Sequence, residues 1–283
     1  MSQQFFLHLG LHKTATTATQ NFLKINSGNL LTNDVRYIPL YKMRNDLTPL
    51  IGSLRAQKRK MLFNLLESFP NKKIILSDEN ILGGTGEIKE GDLYHYGKNR
   101  VLSFCEEAGK RPVTLFITLR EPAAFISSMY CEYLRHSSFI SFEEYIANFD
   151  LENFSYAHVF SWLKNLPKNT RAIVIPYEAP SEGIMLATAA RILKETVGVH
   201  AMSSFSPFPE KKSRSSFTQE ELDLAATIAT QANGKIAQSY LNNLDAQDQR
   251  FGTKKFAPFD SSLVQRLNER YQHELGDFFC SMQ

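Results

Sequence analysis

The chain alternates short, nearly continuous apolar runs with longer amphipathic stretches. The runs at 5–9, 35–39, 73–77, 112–119 and 171–176 are short and rich in Phe, Val, Ile and Leu, which predicts strands. Val113-Thr114-Leu115-Phe116-Ile117-Thr118-Leu119 is the clearest of them. A strand apolar on both faces belongs to a parallel sheet that is covered on both sides. Between the runs, helical spacing predicts helices over 15–26, 53–68, 93–108, 122–135, 142–149, 154–165, 182–197, 218–232 and 261–280. The 53–68 stretch sets Leu54, Met61, Leu62, Leu65 and Leu66 against a basic run, Arg55-Ala56-Gln57-Lys58-Arg59-Lys60, which reads as the wet face of that helix. Strand, helix, strand, helix predicts an α/β fold, with a central parallel sheet flanked by helices on both faces. No internal repeat, low-complexity tract or linker interrupts the order, so residues 1–283 are expected to form a single domain. The most loop-like stretch is 203–217.

Composition narrows the function classes without changing that picture. With 283 residues, 43% hydrophobic and 22% charged, a packed core is expected. A net charge of +3 is too mild to point to nucleic acid as a partner, and it is compatible with a small anionic ligand. The three cysteines (Cys105, Cys131, Cys280) have no paired spacing, which argues against a disulfide framework or a zinc site and for a reduced compartment. Met1-Ser2-Gln3-Gln4 is not a basic signal segment, and the apolar run behind it is broken by His8 and Gly10. No run approaches the length of a membrane span. The expectation is a soluble cytoplasmic protein; its oligomeric state is not legible.

The candidate chemistry begins after the first run, at Gly10-Leu11-His12-Lys13-Thr14-Ala15-Thr16-Thr17-Ala18-Thr19. A strand feeding a helix through a tight loop with one lysine and four threonine hydroxyls is suited to an anion. The helix start offers unpaired backbone N–H groups and the positive end of its dipole. The ATP-binding pattern G-x-x-x-x-G-K-[ST] is not met, because no second glycine precedes Lys13. The plainer alternative is a strand–helix turn capped by Thr14, with Lys13 in solvent. A second constellation is Arg120-Glu121-Pro122, followed by Ser128 and Tyr130. It places an arginine at the carboxyl end of a buried strand, where open parallel sheets bind ligands, and Ser128 about two turns into the next helix. Arg120 with Ser128 makes a second phosphate contact. Here too a plainer alternative stands, an arginine capping the helix beside a small packing serine.

Together these motifs resemble the sulfotransferases that use 3'-phosphoadenosine 5'-phosphosulfate, bacterial members included. His12-Lys13-Thr14-Ala15-Thr16-Thr17 is similar to that family's first loop, and Arg120, Pro122, Ser128 and Tyr130 fit its R-x-P-x5-S-x-Y element. Ser77-Asp78-Glu79-Asn80 and Tyr177-Glu178 resemble two further strand ends of the family. The likeness runs from residue 5 to about 180. It departs at Ala15, where glycine is common; a methyl group is tolerable there if the residue is already helical.

The resemblance implies a P-loop NTPase-like architecture and sulfuryl transfer, without a metal, to a hydroxyl or amine of an acceptor glycan or small metabolite. Lys13 would stabilise the bridging oxygen of the departing nucleotide. The 13–17 backbone, with His12, Thr14, Ala15, Thr16 and Thr17, would hold the 5'-phosphosulfate. Arg120 and Ser128 would hold the 3'-phosphate, with Tyr177, Lys212 and Arg214 as further nucleotide contacts; Lys211 lies in the same basic stretch. Glu79 is the chosen general base, and Asp78, His12 and His95 are its rivals. The acceptor cleft falls to 40–60, 80–100 and 131–165, where Tyr133, Phe139, Tyr145, Phe154, Tyr156 and Trp162 read mainly as core. Two other classes stay open: a non-catalytic nucleotide- or anion-binding protein on the same fold, and a P-loop kinase-like transferase.

Overall fold

Five short strands pair in parallel to make one sheet in the computed structural model, which describes residues 2–53, 55–177, 187–206 and 216–281, with side chains up to 277. The strands are β1 (Gln4–His8), β2 (Val35–Tyr37), β3 (Lys73–Ser77), β4 (Val113–Leu119) and β5 (Thr170–Pro176), in the spatial order β2-β3-β1-β4-β5. Phe5 stands opposite Ile74 on one side and Val113 on the other.

Because side chains alternate across a strand, the sheet divides its apolar residues between two cores. Phe5, Leu7, Ile74, Leu76, Leu115 and Ile117 enter the larger one, and Phe6, Ile75 and Phe116 the smaller. All seven residues of β4 are buried, as a strand covered on both faces requires. The smaller core is closed by α1 (Thr16–Ile25), α2 (Ser27–Thr32) and, later in the chain, the helix Ala187–Thr196, through Phe22, Leu23, Leu30, Ile192 and Leu193.

The opposite face carries the remaining helices. A short α3 (Leu40–Lys42) leads through a π-helical turn, Met43–Leu47, into α4 (Thr48–Ile51). Then come α5 (Ala56–Glu67), α6 (Gly97–Glu107), α7 (Pro122–His136), α8 (Phe142–Ile146) and α9 (Tyr156–Val159). The helix Ala187–Thr196 is α10, and α11 (Gln219–Gln231), α12 (Gly234–Ala246) and α13 (Ser261–Ser281) follow. The fold is thus the expected α/β arrangement, a parallel sheet with helices on both faces. Among the described residues no helix is long and apolar enough to cross a membrane.

Several boundaries move. The first helix begins at Thr16, not 15, because Ala15 has φ 58° and lies outside the helix. The 93–108 helix starts only at Gly97, after Tyr94 turns the chain with φ 60°. The 142–149 helix ends at Ile146, and the 154–165 stretch splits into α9 and a 3-10 turn, Ser161–Asn165. Met61, read as part of the apolar face of 53–68, is 55% exposed, whereas Leu62 and Leu66 are buried. Leu54, the 182–186 start of α10 and most of the loop-like 203–217 lie outside the described residues; Ser203 and Ser204 belong to a 3-10 turn. Of the aromatics in 131–165, Tyr145, Phe154, Tyr156 and Trp162 are core, and Tyr133 and Phe139 pack against it.

Candidate functional site

Parallel strands deliver all their carboxyl ends to one edge of the sheet, where open α/β sheets bind ligands. Four adjacent strands bring candidates there: β3 ends at Asp78 and Glu79, β1 at the loop 9–15, β4 at Arg120 and β5 at Tyr177.

The loop starts as an extension of β1. Leu9 and Leu11 donate their N–H groups to the carbonyls of Phe116 and Thr118 (2.9 and 3.3 Å), and both side chains are fully buried. Gly10 allows this close passage, since a Cβ there would come within 2.7 Å of His8 Nε2. The chain then reverses tightly. The Thr14 hydroxyl donates to the Leu11 carbonyl at 2.6 Å, so Thr14 closes the loop and is not the helix cap. The cap position is Ala15, and among the described residues no side chain caps α1. The first-turn N–H groups of a ten-residue helix are therefore left to whatever lies in front of them, which is the condition for anion binding at a helix start. Thr16 is buried and Thr17 exposed.

Lys13 and Ala15 both take left-handed backbone angles, φ 64° and 58°. The expectation that Ala15 is already helical is thus corrected, and the position is one that glycine would occupy with less strain. A methyl group in the left-handed region costs about 1–2 kcal/mol. Ala15→Gly relieves that cost and adds about 0.4–1 kcal/mol of unfolded-state entropy, so unfolding stability should stay level or rise slightly. An alanine inside a helix would instead lose about 0.5–1 kcal/mol on the same exchange. Urea unfolding midpoints decide between them.

Lys13 is the hub of the edge. Its Nζ donates to Glu132 Oε2 of α7 at 3.3 Å, and Arg120 Nη1 donates to its backbone carbonyl at 2.8 Å. Burial pushes the Lys13 ammonium pKa down, opposed by Glu132 and aided by the nearby Arg135. Burial raises the Glu132 carboxyl, but Lys13 and Arg135 outweigh it and hold it at about 2. Both ends of the pair thus shift downward, one for loss of hydration and the other for an excess of cationic neighbours.

The β3 end carries two carboxylates, Asp78 and Glu79, bridged by Arg44. Asp78 accepts from the Thr48 hydroxyl (2.7 Å), from the Asn80 N–H (3.2 Å) and from Arg44 (3.4 Å). It is fully buried, and burial pushes its pKa up. Its oxygens close the turn Glu79–Ile81, which leaves Glu79 as the carboxylate next to the loop. Glu79 accepts from Arg44 at 2.8 Å and from the Gln20 amide at 3.1 Å.

His12 is held between this turn and Tyr94. Asn80 Oδ1 can only accept, so His12 Nε2 donates to it at 3.1 Å, and Nδ1 accepts from the Tyr94 hydroxyl at 3.1 Å. Burial keeps the ring neutral by pushing its pKa down, against the attraction of Glu79. With both nitrogens engaged, His12 fixes the loop to the β3 turn. His8, below it, is pushed down to about 4 by burial, against the attraction of Glu79. Its Nδ1 pairs with Ser77, while its Nε2, Thr19 Oγ1 and Gln20 Oε1 are buried polar atoms with no partner among the described residues. His95 is exposed and pairs with Asp92.

Arg120 joins the loop to a cleft of about 670 Å3 that also involves Ala124, Tyr177, Tyr271, Gln272 and Gly276. Its guanidinium lies 5.0 Å from the centre of the Tyr177 ring. The helix cap here is Glu121, not the arginine: its carboxylate accepts from the N–H groups of Ala123 and Ala124, both at 2.8 Å, beneath a proline at the first turn. Ser128 is buried on α7 and pairs with the Ser216 hydroxyl at 3.3 Å; it does not line the cleft. Glu178, Lys211, Lys212 and Arg214 lie outside the described residues.

Lys13, His12, Glu79 and Arg120 therefore meet at one edge. Reading the sequence missed Glu132, Arg44, Gln20 and Tyr94. Only Glu132 left a trace, four residues after Ser128 and so on the same side of a helix. Among the described residues no group of three His, Cys, Asp or Glu side chains is placed to hold a metal ion. No protein-family model matches the chain, and no curated protein matches it.

Proposed function

We propose that this protein is a sulfotransferase that moves a sulfuryl group from 3'-phosphoadenosine 5'-phosphosulfate to a hydroxyl or amine of an acceptor glycan or small metabolite, with no metal. The observation that carries this reading is the hydrogen bond from Arg120 to the Lys13 carbonyl at 2.8 Å. It joins two motifs 107 residues apart, which supports reading them as one anion site.

In this reading the uncapped start of α1 and the 13–17 backbone receive the 5'-phosphosulfate. Arg120 spends one Nη1–H on the loop and keeps other donors for the 3'-phosphate. Tyr177, under the same guanidinium, offers a flat face to the nucleoside. Glu79 accepts the acceptor's proton as the acceptor oxygen or nitrogen bonds to sulfur and the sulfur–oxygen bond to the nucleotide breaks. Lys13 balances the charge gathering on the released phosphate oxygen. β3 pairs directly with β1, which supports a base at Glu79 facing the loop.

The test is titration calorimetry with 3'-phosphoadenosine 5'-phosphate, ADP and magnesium ATP, followed by mass spectrometry for a gain of one sulfate on candidate glycans and phenols. Binding of the 3'-phosphorylated nucleotide above the other two, with sulfate gain on an acceptor, is expected. Preference for magnesium ATP points instead to a kinase-like transferase. Nucleotide binding with no transfer to any acceptor class points to a non-catalytic binder.

A further inference from the structure

Glu132 belongs to none of the motifs that suggested the site, yet it accepts a hydrogen bond from the Lys13 ammonium at 3.3 Å. The Lys13 and Glu132 side chains are only 17% and 20% exposed. Such a pair is poorly screened, and it neutralises the charge on which an anion site depends.

Glu132 is also over-supplied with cations. The same Oε2 that accepts from Lys13 accepts from Arg135 Nη1 at 3.0 Å, and Oε1 pairs with His136 at 3.3 Å. Arg135 is anchored on its far side by Asp245 of α12 at 2.7 Å, and its guanidinium lies 4.5 Å from the centre of the Phe217 ring. Asp245 pairs in turn with Arg250, which pairs with the fully buried Glu221 of α11. Signs alternate along the whole row, Lys13, Glu132, Arg135, Asp245, Arg250, Glu221. If Lys13 leaves, Glu132 keeps Arg135 and is not stranded as an unpaired charge. Of the two ends of the row, the Lys13 side chain is partly exposed and Glu221 fully buried, so the lysine end is the more open to a competing anion.

We infer that Glu132 is a positioning residue that restrains Lys13, holding its ammonium against α7 and withholding it from an anion at the start of α1 until that anion competes for it. This rests on the reading of Lys13 as an anion contact. Through Arg135 and Asp245, the restraint ties the loop to the α11–α12 pair.

The test uses the full chain, wild type and Glu132→Gln, with Glu132→Asp as the conservative variant. The first readout is the pH midpoint of Lys13 acetylation by acetic anhydride, followed on its peptide by mass spectrometry. The charged groups facing Lys13 are Glu132 and Arg135, with the Cys131 thiol also on α7 and Arg120 at its carbonyl. Removing Glu132 leaves burial and Arg135, both of which disfavour the ammonium. The midpoint should therefore fall by about one pH unit or more in Glu132→Gln, and Glu132→Asp should recover part of it. The second readout is affinity for inorganic pyrophosphate and for 3'-phosphoadenosine 5'-phosphate, which should rise about fivefold or more in Glu132→Gln.

An unmoved midpoint overturns the restraint, and so does a moved midpoint with unchanged or weaker pyrophosphate binding. A shifted midpoint with tighter pyrophosphate binding, but no nucleotide binding in any variant, upholds the restraint and removes the sulfotransferase reading. Unfolding midpoints check that the variants are folded.

Discussion

Glu79→Gln is expected to slow sulfuryl transfer by about 10²–10⁴-fold while leaving the affinity for 3'-phosphoadenosine 5'-phosphate unchanged. The substitution removes the proton acceptor and little else. Glu79 accepts one bond from Arg44 and one from the Gln20 amide. A glutamine side chain still offers its carbonyl to Arg44. Its new NH2 group then faces Gln20, whose Oε1 is buried without a partner in the native arrangement. Turning the Gln20 amide over supplies the missing acceptor, so the local packing survives. Arg44, 43% exposed, keeps Asp78 at 3.4 Å. Asp78→Asn is the contrasting control. It disturbs acceptors used by the Thr48 hydroxyl and the Asn80 N–H in a fully buried position, so its loss should appear in stability, by about 1–3 kcal/mol. Full activity in Glu79→Gln sinks the assignment; a stability loss without a rate loss makes Glu79 a structural partner of Arg44.

What could be read from the sequence follows from what is local in physics. β4 announced itself because a strand covered on both faces needs no polar positions. Lys13, Glu79 and Arg120 were findable because each lies in the segment that leaves the carboxyl end of a strand, and parallel strands send their ends to one edge whatever the order of the sheet. Their partners were not findable in the same way. Arg44 arrives on a π-helical turn between two helices of three and four residues, too short for helical spacing to register. Tyr94 reaches His12 from a turn with φ 60°, where a helix was expected. Conformation defeated the reading at Ala15 as well, because a left-handed residue and a helical one look alike when written as alanine. The α12 helix was missed although Asn233 caps it and Ala237, Leu241 and Leu244 keep a helical period. Its polar filling at Gln238, Ser239, Asn242 and Asn243 hid that stripe. Its Asp245 nonetheless links Arg135 to Arg250 in the charge row that begins at Lys13.

Lys13→Met tests the chemistry from the other side of the reaction, and the division of its effect between kcat and KM is the informative part. A cation placed for the leaving oxygen does most of its work as charge develops there, so its loss should fall on kcat, by about 10²–10³-fold. The fold should tolerate the change. Methionine fills the space of the lysine stem, and Glu132 retains Arg135 at 3.0 Å and His136 at 3.3 Å. Ground-state binding should weaken for two reasons, since the lysine charge is lost and the carboxylate that it had masked is no longer neutralised by it. Lys13→Met combined with Glu132→Gln separates them. With both charges gone, nucleotide affinity should recover toward wild type while kcat stays low, because the proposed mechanism assigns the departing oxygen to Lys13. A raised KM with kcat unchanged in Lys13→Met would make the lysine a uniform binding contact. Recovery of kcat in the double variant would show that the Glu132 carboxylate, and not the missing ammonium, had slowed the reaction.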